Sequence, residues 1–136
     1  EATLVGLDAL FGTSDIIPCH TPLTPDTRHL ANRERIALMK PTAVLVNTSR
    51  GPVVDEVALT DALREGRIAG AGLDVFEQEP VDPENPLLEM DNVVVTPHMA
   101  GLTWNTWFRR AEFAYRNVKR VWDGEAPLAV ARDFEG

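Results

Sequence analysis

The chain has 136 residues, 44% hydrophobic and 25% charged, which fits one ordinary globular domain with enough apolar content for a core. Thirteen basic residues against 21 acidic leave a net charge of −8, and the basic side chains form no patch outside the last helix, which argues against a nucleic-acid or anionic-membrane partner. One cysteine, Cys19, excludes an internal disulfide and a cysteine-rich metal site, and suits a reducing cytoplasm. No apolar run approaches the roughly 18 residues of a membrane span, and no signal-peptide pattern is visible. The first residue is Glu1 rather than methionine, which suggests a trimmed or partial chain.

In chain order, Asp15 to His20 (DIIPCH) reads as the first strand. A helix follows, opened by Asn32 as N-cap and stopped by Lys40-Pro41, because the residue before proline disfavours helical geometry. Ala43 to Asn47 (AVLVN) reads as a second strand, and its unbroken apolar run suggests burial on both faces. Asp55 caps a second helix running through Glu65, with Val57, Ala58, Ala62 and Leu63 expected on one face and Gly66 at its C-terminal end. Gly70 to Phe76 and Asn92 to Thr96 complete four strands, separated by a proline-rich loop, Glu77 to Met90, with one helical turn at Leu87 to Met90. Strand, helix, strand, helix, strand predicts a parallel α/β sheet.

From Thr103 onward Trp104, Trp107, Phe108, Ala111, Tyr115, Val118 and Trp122 follow the spacing of one long amphipathic helix. Six of the nine aromatic residues lie there, so the stripe is expected to pack against a partner surface that belongs to residues or subunits outside this chain.

Ligands of open parallel sheets bind beyond the carboxyl ends of the strands. Arg50 stands three positions past AVLVN, Glu79 three past GAGLDVF, and His98 two past NVVVT. Together they would bring an anion hook, a carboxylate and a titratable imidazole to one edge. Taken singly, each has a plainer reading: a surface ion pair, a solvated loop acid, a structural histidine.

The segments "CHTPLTPDTRHL", "LMKPTAVLVNTSRGPVVDEVALTDALREGRIAGAGLDVFEQEP" and "NVVVTPHMAG" resemble the signature segments of the NAD(P)-dependent D-isomer-specific 2-hydroxyacid dehydrogenases, over roughly residues 4 to 122. The resemblance implies a partial Rossmann-type parallel sheet with flanking helices, followed by the long helix. It implies Arg50 as the substrate-binding arginine, Glu79 as the partner of the histidine, and His98 as the acid/base. It places Asp74 at the nicotinamide amide and Thr21, Pro22, Thr48, Ser49, Ala100 and Gly101 along the cofactor, although turn, cap and buried-acid roles would also account for several of these residues. NAD or NADP is the implied cofactor, NAD favoured; no metal is expected.

The implied reaction is hydride transfer between the cofactor and a 2-oxo acid or D-2-hydroxy acid, in a cytoplasmic homodimer. The alternative within the same resemblance is a non-enzymatic, corepressor-like NAD(H) sensor. Two tracts depart from the family pattern: Pro18-Cys19, and the aromatic stretch after His98. No G-x-G-x-x-G occurs in the chain. In the family that turn precedes the first matched segment, so the chain is expected to be the C-terminal part of a larger enzyme: residues 1–102 a partial nucleotide-binding domain, 103–136 a crossover helix and tail.

Overall fold

A computed structural model describes residues 2–130. Two compact units are present, one up to His98 and one from Met99 onward.

The first unit is built on four parallel strands, β1 (Ile16–Cys19), β2 (Val44–Asn47), β3 (Gly70–Leu73) and β4 (Val93–Val95), in the order β1-β2-β3-β4. Its helices are α1 (Leu7–Thr13), α2 (Arg33–Leu38) and α3 (Glu56–Arg64), with single 3-10 turns at Gly51–Val53 and Pro86–Leu88. The caps are those the residues dictate. The Asn32 side chain accepts the Arg35 N–H, and the Asp55 side chain accepts the Ala58 N–H. Past α3, Gly66 takes φ +65°, with Gly66 N–H bonded to Leu63 O and Arg67 N–H to Ala62 O, a six-residue reversal that needs a residue without Cβ.

Helix α1 packs on α2, and α2 on α3, so the simple strand order winds all three onto one face. The rows Ile17–Leu45–Ala71 and Cys19–Asn47–Leu73 point into that core, joined by Phe11, Ile36, Ala58, Leu59, Ala62, Leu63 and Leu87. The opposite rows, Ile16–Val44–Gly70 and Pro18–Val46–Gly72–Val94, are less enclosed: Ile16 is 65% and Val94 71% exposed.

Several expectations are corrected here. The second strand is not buried on both faces, since Val44 and Val46 are only half-buried. Val57 does not share the inward face of α3 and is 67% exposed, because at 100° per residue it lies opposite Ala58, Leu59, Ala62 and Leu63. The third strand ends at Leu73, although Asp74, Val75 and Phe76 stay buried. The helical turn expected at Leu87 to Met90 is a 3-10 turn one residue earlier. Pro18 fits within β1 because Val44 N–H bonds Asp15 O. By alternation Ile17 and Cys19 also face β2, and the missing N–H of Pro18 falls on the outer edge.

The second unit holds α4 (Trp104–Trp122), with the Thr103 side chain accepting the Thr106 N–H and Gly124 closing the C-terminus at φ +77°. No residue of α4 is buried: Trp104 is 83% and Trp122 87% exposed, and within the helix Trp104 stacks on Phe108. Among the described residues no helix is long and apolar enough to cross a membrane.

The facing of the side chains is testable. Leu45→Ala, at a fully enclosed position, should lower unfolding free energy by about 2–5 kcal/mol. Val57→Ala should stay within about 0.5 kcal/mol. Urea unfolding of both variants decides; equal losses would contradict the assignment of faces.

Candidate functional site

Strand β2 ends on Asn47, whose side chain is enclosed and hydrogen-bonded at both its oxygen and its nitrogen. Its Oδ1 accepts from the Ser49 N–H and hydroxyl, at 3.0 and 2.9 Å, and its Nδ2 donates to Arg50 O at 2.9 Å. Its carbonyl takes the Asp74 N–H. A single buried amide thus shapes the turn that carries Thr48, Ser49 and Arg50, and ties it to the end of β3.

Arg50 itself is exposed, and its Nη1 donates to Ser49 O at 2.7 Å. Among the described residues no carboxylate forms an ion pair with it, which leaves most of its five N–H donors for something else. The next residue, Gly51, is buried against the main chain after β3: a Cβ there would lie 1.8 Å from Phe76 O and 2.5 Å from Glu77 N. Only glycine allows the two loops this close.

Glu79 is gripped at both oxygens. Oε1 accepts the Phe76 N–H at 3.1 Å and Oε2 meets His98 Nδ1 at 2.8 Å. Partial burial alone would raise the carboxyl's pKa. The His98 bond, the Phe76 N–H, and the charges of His98 and Arg50 outweigh it and hold the carboxyl below the usual glutamate range. An ionised carboxylate only accepts, so Nδ1 carries the hydrogen and Nε2 is the ring nitrogen left for other work.

The backbone of His98 sits at φ +51°, a left-handed conformation that costs a non-glycine residue about 1 kcal/mol or more. Its N–H is bonded to Asp74 O at 2.9 Å and Thr96 O at 3.0 Å. Asp74 is 4% exposed and accepts the Thr96 hydroxyl at Oδ1. A cleft of about 600 Å3 opens here, its polar wall formed by Asp74, Glu79, Thr96 and His98 and the remainder mostly apolar.

Of the residues singled out from sequence, Arg50, Glu79 and His98 converge, with Asp74 beside them. Thr48 and Ser49 occupy the β2 turn. Thr21 and Pro22 follow β1 on the same edge; Pro22 O accepts the Thr27 hydroxyl. Ala100 and Gly101 lie in the second unit, in a turn closed by the Leu102 N–H to Met99 O bond.

A nucleotide cofactor suits this donor set. The Thr21 hydroxyl is shut off from solvent with no protein partner, and Thr48 is exposed just past the end of β2. Asn47, Gly51 and Thr96 were not anticipated. The only signal for Asn47 was a polar residue closing an apolar run, and for Gly51 a glycine directly after the arginine.

A parallel sheet with flanking helices and its polar groups gathered past the carboxyl ends of the strands follows the plan of a Rossmann-type nucleotide-binding domain. The chain belongs to the D-isomer specific 2-hydroxyacid dehydrogenases, whose NAD binding domain model matches residues 1–100. It is 56% identical over 124 residues to a glyoxylate reductase of Thermofilum pendens, covering 91% of this chain and 37% of that protein. To a D-3-phosphoglycerate dehydrogenase of Methanocaldococcus jannaschii it is 46% identical over 119 residues, 88% of this chain and 22% of that one.

Among solved structures, the NAD-complexed D-isomer specific 2-hydroxyacid dehydrogenase of Lactobacillus delbrueckii ssp. bulgaricus matches with TM-score 0.86 at 32% identity, over 95% of this chain and 43% of that one. The enzyme of Xanthobacter autotrophicus Py2 in complex with NADPH and MES matches with TM-score 0.78 at 44% identity, over 93% and 51%. The chain spans well under half the length of the curated relatives named above.

The lowered pKa of Glu79 has a definite sign. Stability from the pair is present above the ordinary glutamate pKa and is lost as pH falls through the lowered one. Carboxyl 13C NMR should place the Glu79 midpoint below the ordinary glutamate value. In His98→Ala it should rise, since the bond and charge that lower it are gone; an unmoved midpoint would contradict the pairing.

Proposed function

We propose that the whole protein is an oxidoreductase that moves a hydride between NAD(P)H and a 2-oxo acid, giving a D-2-hydroxy acid, with NAD the favoured cofactor. The observation that carries this reading is the Glu79–His98 pair at 2.8 Å, with the charge of Arg50 acting on the same carboxylate. The relatives named above are a reductase and a dehydrogenase by name.

The chemistry a bound nicotinamide supplies is the hydride. Thr21, Pro22, Thr48, Ser49, Asp74, Ala100 and Gly101 are the residues proposed to hold that cofactor. Arg50 offers a planar fork of donors to the substrate carboxylate and carbonyl, which fixes the carbonyl carbon for attack. As the C=O bond becomes C–H and C–O⁻, the proton on His98 Nε2 passes to the oxygen; in the oxidative direction the neutral ring takes it back. Glu79 keeps the ring oriented.

Residues 1–102 are proposed as the cofactor-binding part and 103–136 as a crossover helix and tail, in a cytoplasmic homodimer. The sensor alternative has no observation in its favour. Turnover of a 2-oxo acid by the whole protein separates the two.

Two variants test the roles. Arg50→Lys replaces a two-pronged donor with a point charge. It should lower kcat/KM for the 2-oxo acid by about a hundredfold or more, on the scale of lost bidentate positioning, and leave cofactor affinity nearly unchanged. Steady-state kinetics with an unchanged specificity constant would exclude the role. Glu79→Gln replaces the carboxylate that accepts from His98 Nδ1 with an amide that no longer orients the ring as firmly. It should lower kcat for reduction by about a hundredfold, on the scale of a misplaced proton donor; an unchanged kcat would count against the pair.

A further inference from the structure

Two residues other than glycine adopt the left-handed conformation among the described residues, His29 at φ +50° and His98 at φ +51°. Both reach a carboxylate of one short segment. His98 holds Glu79, and His29, in the loop after β1, places Nε2 2.7 Å from Oε1 of Glu77, two residues away.

Glu77 is itself anchored. Its N–H donates to Glu56 Oε2 at 2.8 Å, its Oε1 accepts the Glu56 N–H at 3.3 Å, and Gly51 lies against its peptide. The loop that carries His29 is fastened by His29 N–H to Pro52 O at 2.8 Å and Ala31 N–H to Val53 O at 3.0 Å. The side chains of His29 and Glu77 are 35% and 30% exposed, and a pair so open to water adds little to stability. A strained backbone kept for a contact of small energetic value fits positioning better than stabilisation.

We propose that His29 is a positioning residue for the acid–base pair: by binding Glu77 it fixes the segment that presents Glu79, and through Glu79 it sets the orientation of the His98 ring. The proposal rests on the dehydrogenase reading for its consequence in turnover, but not for its geometric content.

The test uses the whole protein. His29→Asn tolerates the left-handed backbone yet is too short to reach Glu77; Glu77→Ala removes the contact from the other side. Each should lower kcat about tenfold, as expected for a misplaced proton donor, with the KM for NADH within about twofold. The urea midpoint should not change. The double variant should fall no further than either single one, since both cut one contact. His29→Gln, whose amide reaches Glu77, should regain most of kcat.

An unchanged kcat in His29→Asn, or a double variant in which the two losses multiply, would overturn the proposal. The ring 15N resonances of His98 answer the same question without turnover. If they move in His29→Asn the positioning stands even where the dehydrogenase reading fails; if they stay put, it falls.

Discussion

Arg50 and Glu79 belong to loops that follow different strands, and what brings them together is direct contact between two main chains. The Gly51 backbone rests on the Phe76–Glu77 peptide so closely that a single methyl group would overlap the carbonyl oxygen. On one side of that contact Asn47 shapes the turn bearing Arg50; on the other, the Phe76 N–H holds Glu79, and Glu79 holds His98. The electrostatics follow from it, because the pull of Arg50 on the Glu79 carboxyl exists only while the two loops touch. Open parallel sheets commonly place ligands beyond their carboxyl ends. Here that general rule is given its particular shape by a residue with no side chain.

The apolar surface is distributed unevenly. The helix-covered face of the sheet is filled by Leu45, Leu59, Ala62 and Leu87, each at or near full enclosure, while Ile16 and Val94 on the other face remain open. Taken by itself, α4 also shows water apolar surface through its three exposed tryptophans. Patches of this kind on soluble proteins mark surfaces made for contact.

Much of this was legible in the residues. Asn32 and Asp55 announce their helices because a side-chain acceptor before an apolar repeat has few other uses, and both cap as expected. The carboxyl ends of the strands were legible to within one residue except in β3, which stops at Leu73 rather than Phe76, and with them the edge on which Arg50, Glu79 and His98 stand. What stayed hidden depends on tertiary geometry. The short α1, Leu7–Thr13, has Gly6 as its N-cap with no side-chain bond, so nothing local marked its start. Val57 carries the same apolar side chain whether it faces the core or water, and only the phase of α3 decides. The run Ala43–Val46 is uniformly apolar, yet the winding of α1, α2 and α3 onto one side leaves Val44 and Val46 half open. The Gly51 contact and the His29–Glu77 pair join residues 25 and 48 positions apart, Phe76 minus Gly51 and Glu77 minus His29, and no local pattern encodes such meetings.

Cys19 ends β1 with its side chain turned into the core, 8% exposed, and burial pushes its thiol up to about 11. At neutral pH it is therefore almost wholly in the unreactive protonated form, and a reagent that attacks thiolates finds no target while the strand is in place. The chain's single thiol then serves as an internal clock. Whatever covalent labelling it does undergo reports how often β1 leaves its neighbour, and any cysteine introduced elsewhere on the surface would react against a silent background.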